Sequence, residues 1–304
     1  MLYLLLVILF NVSFMFIFKL FERHRVPTFQ AIVVNYFTCS LVGLLASRDN
    51  LPIAVAGLGE SWSWMALLLG TLFVGTFYLI ALTAQRIGIT IASVATKISL
   101  VIPVLFSLLV LQNNLKEYTL INYLGMGAAL VAVTLTAVRS RSYGYHPSLS
   151  GVASGGLPLL IFLNSGIGDV LINYANHYLL QPHQAGAFTM LTFSASACIG
   201  GLILLGLFLS GRQRFGFRSL PAGIVLGIPN FFSIFFLIKA LSAFENDGAF
   251  LFPVNNIGII LAGTLGAVLF FRERLTRLNL AGLAVAVLAL FLLSYQEIFY
   301  LIRN

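Results

Sequence analysis

One lysine lies inside an otherwise apolar stretch of the sequence. Lys97 stands in the run ASVATKISL, residues 92–100, and Ser93 precedes it by four positions. If this stretch is a helix in a bilayer, an isolated ammonium costs at least about 2.5 kcal/mol near the membrane centre, so it needs a partner, water or a substrate. Ser93 and Lys97 would share one helical face. The pair predicts a hydrated, substrate-binding wall, and the alternative is a lysine that snorkels its amine to the membrane surface.

Two adjacent asparagines interrupt another apolar stretch in the second half of the chain. Asn255 and Asn256 follow Pro253 in the run FPVNNI. Proline lacks a backbone N–H, so it leaves one helical carbonyl unpaired and can bend the helix. Amide side chains supply both donors and acceptors. We expect these asparagines to bind substrate, and the alternative is that they only form hydrogen bonds between helices.

Asp169 is a carboxylate within a third apolar stretch. A carboxylate in a membrane can bind and release a proton as its surroundings change, which is what a proton-coupled carrier requires. Three roles remain open at this stage. Asp169 could be the structural counter-ion of Lys97 or Lys239, a coupling group, or a direct contact of the substrate.

Five further side chains are weaker candidates for binding a substrate. Two of these asparagines occupy corresponding places in the first segments of two similar halves, and the tyrosine could stack on a planar ligand. Because aromatic residues make up 13% of the chain, packing is the default role for any one of them. The five are Asn11, Asn35, Tyr78, Asn164 and Asn230.

The elements that must position these residues are long apolar segments. Hydrophobic residues make up 60% of the 304-residue chain and charged residues only 9%, whereas a soluble domain carries about 25% charged residues. Uncharged runs of about 20 residues between short polar connections predict membrane-spanning helices. The sequence therefore predicts an all-α integral membrane protein with ten transmembrane helices, at residues 2–21, 28–47, 62–84, 89–112, 118–138, 152–179, 184–209, 219–243, 247–271 and 276–296.

The ten segments fall into two similar halves around one polar connection. We predict a first five-helix repeat at residues 1–138, a connecting loop at 139–148 and a second five-helix repeat at 149–304. Five helices per repeat place the two copies in opposite orientations, so the repeat is inverted. Most of the 17 Lys and Arg residues lie in odd-numbered connections. The positive-inside rule then puts these connections in the cytoplasm and both termini outside.

A short motif near the end of the chain adds a resemblance. The run FRERLT at residues 271–276 is similar to the Gly-Glu-Arg-Leu-Thr signature of ten-helix EamA-type members of the drug/metabolite transporter superfamily. The first half departs from it, with NNLK at residues 113–116. The resemblance implies alternating access around a site at the interface of the two repeats. It also implies cytoplasmic termini, opposite to the charge bias, so membrane orientation remains open.

The sequence favours a secondary transporter of a small polar metabolite, such as an amino acid, nucleobase or organic acid, in the bacterial inner membrane. No catalytic motif, metal site or cofactor is predicted, and dispersed basic residues argue against nucleic acid. Without a nucleotide-binding motif, energy would come from gradients, with proton coupling open. The alternatives are a non-transporting membrane subunit or receptor-like partner and, more distantly, an intramembrane enzyme. Monomer and dimer remain undecided, and import cannot be told from export.

Overall fold

The chain is mostly helical over the part that a computed structural model describes. That part comprises residues 1–86, 95–96, 98–111, 118–137, 152–271, 277–293 and 295–296, and none of these residues lies in a β-strand. The fold class is therefore all-α. The connection at 139–148, Lys97, Ser93 and most of the FRERLT motif lie outside the described residues.

The described residues form eleven α-helices, α1 to α11 in chain order. Two of them continue into a π-helical turn, at Ser107–Leu111 after α5 and at Ala175–Leu179 after α7. The bounds are α1 Leu2–His24, α2 Thr28–Ala46, α3 Asn50–Ala56, α4 Ser61–Arg86, α5 Val101–Phe106, α6 Leu120–Ala137, α7 Val152–Tyr174, α8 Ala185–Leu209, α9 Ser219–Ala243, α10 Gly248–Phe271 and α11 Arg277–Leu293.

Six described helical segments are long and apolar enough to cross a membrane. They lie in α2, α4, α7, α8, α9 and α10, and four shorter apolar helices accompany them among the described residues. Their outer surfaces are also apolar: Leu202 and Leu209 of α8 are 70% and 81% exposed, and Phe270 of α10 is 76% exposed. A helix that is apolar on all sides requires an apolar solvent. These surfaces fit a hydrocarbon environment.

The first compact unit comprises Met1–Ala81 and Leu171–Asn246. In it α9 packs along α1 and α2, and α2 also packs along α8. Glycines permit the close approach of α9 to α2: a Cβ added at Gly223 would lie 2.5 Å from the Cβ of Val34, and one at Gly227 would lie 2.5 Å from the Cβ of Thr38. The GxxxG spacing here serves packing within the chain.

One short helix of this unit was not predicted. Helix α3 lies between the predicted segments 28–47 and 62–84, where no helix was predicted, and the Nδ2 of its first residue, Asn50, donates to the carbonyl of Gly43 at 2.6 Å. A Cβ at Gly186 of α8 would lie 2.5 Å from the Oδ1 of Asn50. The amide of Asn50 therefore fixes α3 between the end of α2 and the start of α8.

The second compact unit comprises Leu82–Val170 and Asp247–Asn304. Its α6 and α11 pack side by side, and α10 contacts α5, α6 and α11. Polar bonds join the start of α6 to the end of α11: the Oγ1 of Thr119 lies 2.6 Å from the hydroxyl of Tyr295, and the Nδ2 of Asn122 donates to the carbonyl of Leu293 at 3.3 Å. Each unit thus takes segments from both sides of the 139–148 connection.

Candidate functional site

Helix α10 carries a buried amide with an unused acceptor. Asn255 is 7% exposed, and its Oδ1 forms no hydrogen bond with a described residue. The neighbouring amide is different, because the Nδ2 of Asn256 donates to the carbonyl of Phe252, one turn earlier, at 3.0 Å. Pro253 lies inside the same helix. Of the pair, Asn255 is therefore the one whose acceptor is buried without a partner among the described residues, and a ligand could donate a hydrogen bond to it.

A second row of polar side chains follows one face of α7. Ser165, Asp169 and Asn173 are spaced four residues apart, which places them along that face. The buried Oγ of Ser165 and both polar atoms of the Asn173 amide lack a described partner. Asp169 is half-buried, as is Asn164. This face of α7 is thus polar, and the groups of Ser165 and Asn173 on it have no hydrogen-bond partner among the described residues.

Within the second unit, α5 contacts both α7 and α10. A Cβ added at Gly166 of α7 would lie 2.8 Å from the Cβ of Ile102, so these two helices approach closely. Helix α5 also packs against α10. The predicted Lys97 and Ser93 precede α5 in the chain and lie outside the described residues. The helix that follows them is thus flanked by the helices that carry Ser165 and Asn255.

A different polar cluster lies in the first unit, where two predicted site residues meet. The Nδ2 of Asn230 donates to the Oδ1 of Asn35 at 3.1 Å, and the Nδ2 of Asn35 donates to the carbonyl of Ile32 at 3.4 Å. Beside them the thiol of Cys39 lies 3.2 Å from the carbonyl of Gly227 and donates to it. These bonds join α2 to α9. The Asn35–Asn230 pair therefore has a packing role, whatever else it contacts.

The remaining candidates of the first unit make other contacts. The Nδ2 of Asn11 donates to the carbonyl of Val7 at 2.9 Å, within α1. Tyr78 is 52% exposed and meets Phe29 edge-on, with 6.5 Å between ring centroids. Lys239, considered as a counter-ion of Asp169, donates to the carbonyl of Pro182 at 2.7 Å. Its ammonium is thus bonded inside its own unit.

Some informative polar residues were not predicted as site residues. The Oγ1 of Thr83, near the end of α4, is buried without a described partner. Its signal in the sequence is a polar residue on the last turn of an apolar segment, which is too common to stand out. Among the described residues, no group of three His, Cys, Asp or Glu side chains could hold a metal ion.

Comparison with known proteins finds similarity over nearly the whole chain, but the similar proteins are described without an activity. No family model matches the sequence. A protein of Haemophilus influenzae, described as uncharacterized, is 26% identical over 312 residues, which is 97% of this chain and 98% of that protein. A chain of known crystal structure superposes with a TM-score of 0.66 at 15% identity, covering 97% of this chain and 96% of its own length. The chain is thus similar to an uncharacterized bacterial protein and shares its fold with a solved structure.

Proposed function

We propose that this chain is a secondary transporter of the EamA type within the drug/metabolite transporter superfamily. It would move a small polar metabolite across the bacterial inner membrane by alternating access, with ten spans arranged as two inverted repeats. The six apolar helices of spanning length and the four shorter apolar helices support ten spans. The observation that carries the proposal is the buried acceptor of Asn255 in the apolar helix α10, which has no hydrogen-bond partner among the described residues.

The energetic reason for a ligand at Asn255 is the cost of leaving that acceptor unpaired. A buried acceptor without a hydrogen bond costs about 1–3 kcal/mol. In an apolar helix the cost is recovered when water or a ligand donates to it. The substrate should therefore carry an N–H or O–H donor, as amino acids, nucleobases and hydroxylated organic acids do. Lys97 and Asp169 are the proposed charged contacts, and the variant Lys97→Met tests the part of the lysine in binding.

Ion coupling and orientation are left as alternatives within this proposal. Asp169 is half-buried in α7, one turn from the hydroxyl of Ser165, which has no hydrogen-bond partner in the described part of the chain. That position suits a proton-coupling group, and it equally suits a structural counter-ion of Lys97. The charge bias of the connections favours external termini. The family resemblance favours cytoplasmic termini.

Entrance counterflow in proteoliposomes tests transport directly. Purified protein would be reconstituted and loaded with amino acids, nucleobases or organic acids in turn, and uptake of labelled solute would be followed. Two variants sharpen the test. Asn255→Leu should abolish counterflow of the active solute, because it deletes the acceptor at similar volume.

Thr71→Val is the matched control for removing a polar group from an apolar helix. The Oγ1 of Thr71 is exposed and donates to the carbonyl of Leu67, in its own helix, at 3.0 Å. Counterflow should survive this change. Folded wild-type protein that binds a solute but gives no counterflow would favour the receptor-like alternative. Unchanged counterflow in Asn255→Leu would place the substrate elsewhere.

A further inference from the structure

A groove opens between the end of α1 and the start of α9, in the first unit. Its volume is about 610 Å³, within the range of about 300–1,000 Å³ typical of small-molecule sites. Most of its wall is apolar, and three basic side chains line it as well. Its apolar lining includes Ile17, Leu20 and Val225, and its basic lining residues are His24, Arg25 and Arg218.

The basic end of the groove is held in place by the neighbouring loop. A guanidinium N–H of Arg218 donates to the carbonyl of His24 at 3.2 Å, which joins the two helix ends. The loop before Arg218 is fixed by Gln30, a side chain only 2% exposed. Its Nε2 donates to the carbonyl of Arg214 at 2.7 Å, and its Oε1 accepts from the amide of Gly216 at 2.8 Å. Arg218 is therefore positioned by a buried anchor.

Arg25 occupies a backbone conformation in which glycine is the ordinary residue. Its φ is +50°, and the amide of Val26 donates to the carbonyl of Phe21 at 3.0 Å, which closes the end of α1. Such left-handed helix ends favour glycine because it has no Cβ. An arginine that persists at a strained position beside a groove points to a use for its charge.

The apolar part of the groove faces the exposed sides of α1 and α9. Leu20 is 40% exposed and Val225 is 54% exposed. On the adjoining loop the ring of Phe217 is 82% exposed, which suits a loop at the level of the lipid headgroups. Acyl chains would therefore have access to the groove from the side, while its basic end lies at the membrane surface.

We propose that this groove binds one phospholipid with an anionic headgroup. The phosphate would lie between Arg25 and Arg218, whose planar guanidinium groups can donate two hydrogen bonds each to phosphate oxygens. His24 borders the same end. An acyl chain would lie along Ile17, Leu20 and Val225. A lipid is favoured over free phosphate because most of the wall is apolar, and basic pockets between membrane helices bind such headgroups. This site depends on membrane insertion and not on transport.

Binding would be measured by lipid titration of the purified full-length protein in detergent, with native mass spectrometry as the readout. Phosphatidylglycerol would be compared with phosphatidylcholine of the same acyl chains and with inorganic phosphate. The double variant Arg25→Gln/Arg218→Gln should bind phosphatidylglycerol about tenfold more weakly, the effect expected for losing one charge-assisted contact or more. The double variant Arg212→Gln/Arg214→Gln removes equal charge from the same loop without touching the groove. It should retain wild-type affinity.

Two single variants distinguish a loss of lipid binding from a loss of folding. Val225→Trp fills the apolar part and leaves both arginines in place, and it should also weaken phosphatidylglycerol binding. Arg25→Gly relieves the positive φ, so it should raise the thermal midpoint of lipid-free protein while it weakens lipid binding. Any one of four results would overturn the proposal: an equal loss of binding in the control double variant, equal binding of phosphatidylcholine, tight binding of phosphate alone, or full lipid binding by Arg25→Gly.

Discussion

Replacing Asn255 by leucine should leave the ligand-free protein at least as stable as wild type. The side chain is 7% exposed, and its Oδ1 has no partner among the described residues. Leucine has a similar size, and it removes an acceptor whose unpaired burial costs about 1–3 kcal/mol. We therefore expect the free energy of unfolding to be unchanged or to rise by about 1–2 kcal/mol.

Asn122 provides the contrasting case in the same unit. It is 0% exposed, its Oδ1 accepts from the amide and the hydroxyl of Thr119, both at 3.0 Å, and its Nδ2 donates to the carbonyl of Leu293. Asn122→Leu breaks these bonds and leaves their partners unpaired. At about 1 kcal/mol for each bond lost, destabilisation of about 2–4 kcal/mol is expected.

The assay is unfolding of ligand-free protein in one detergent, by heat and by denaturant, for wild type and both variants. The order of stability should be Asn255→Leu, then wild type, then Asn122→Leu. A loss in Asn255→Leu as large as that in Asn122→Leu would refute the reasoning. It would mean that Asn255 is bonded to a residue outside the described part, of which Lys97 is the first candidate.

Three further predictions concern packing, the lysine and orientation. Gly223→Ala should destabilise the protein by about 1–3 kcal/mol in the same unfolding assay, because its new Cβ would lie 2.5 Å from the Cβ of Val34. Gly206→Ala is the control and should not destabilise the protein, because a Cβ there would have no atom within 4 Å. Lys97→Met should leave the protein folded and remove most solute binding in a thermal-shift titration; unchanged affinity would assign Lys97 to snorkelling. A single cysteine at Arg214 should resist an impermeant thiol reagent in intact cells, and efficient labelling there would instead give cytoplasmic termini.

The helices were largely predictable because their ends are marked chemically. The predicted segment at 219–243 coincides with α9, Ser219–Ala243, and the one at 184–209 differs from α8 by one residue. Both lie between polar or glycine-containing connections, where apolar character stops abruptly. Helix α3 was missed because seven residues are too few for a window set to the thickness of a bilayer. Its position depends on the amide of Asn50, which is a tertiary contact.

The sequence predicted which polar side chains lie in apolar helices. It could not predict which of them form hydrogen bonds with one another. Asn35, Asn230 and Asn255 are equivalent in the sequence, since each is an amide in an apolar stretch. The structure separates them, because Asn35 and Asn230 bond across 195 positions while the Oδ1 of Asn255 stays unpaired. Which amides meet depends on how helices pack, and hydropathy carries no information about that.

Among the described residues, some of the buried side-chain groups without a hydrogen-bond partner lie close along the chain to the places where it passes between the two units, whereas those of Thr192 and Gln213 do not. It passes at Ala81–Leu82 within α4, at Val170–Leu171 within α7, and at Asn246–Asp247 just before α10. Thr83 is next to the first passage, Ser165 and Asn173 flank the second along α7, and Asn255 follows the third in α10. A ligand that bonded to Ser165 or Asn173 would contact α7, through which the chain passes from one unit to the other. In the proposed transporter, such a ligand could shift the balance between two conformations only if it bonded better in one of them.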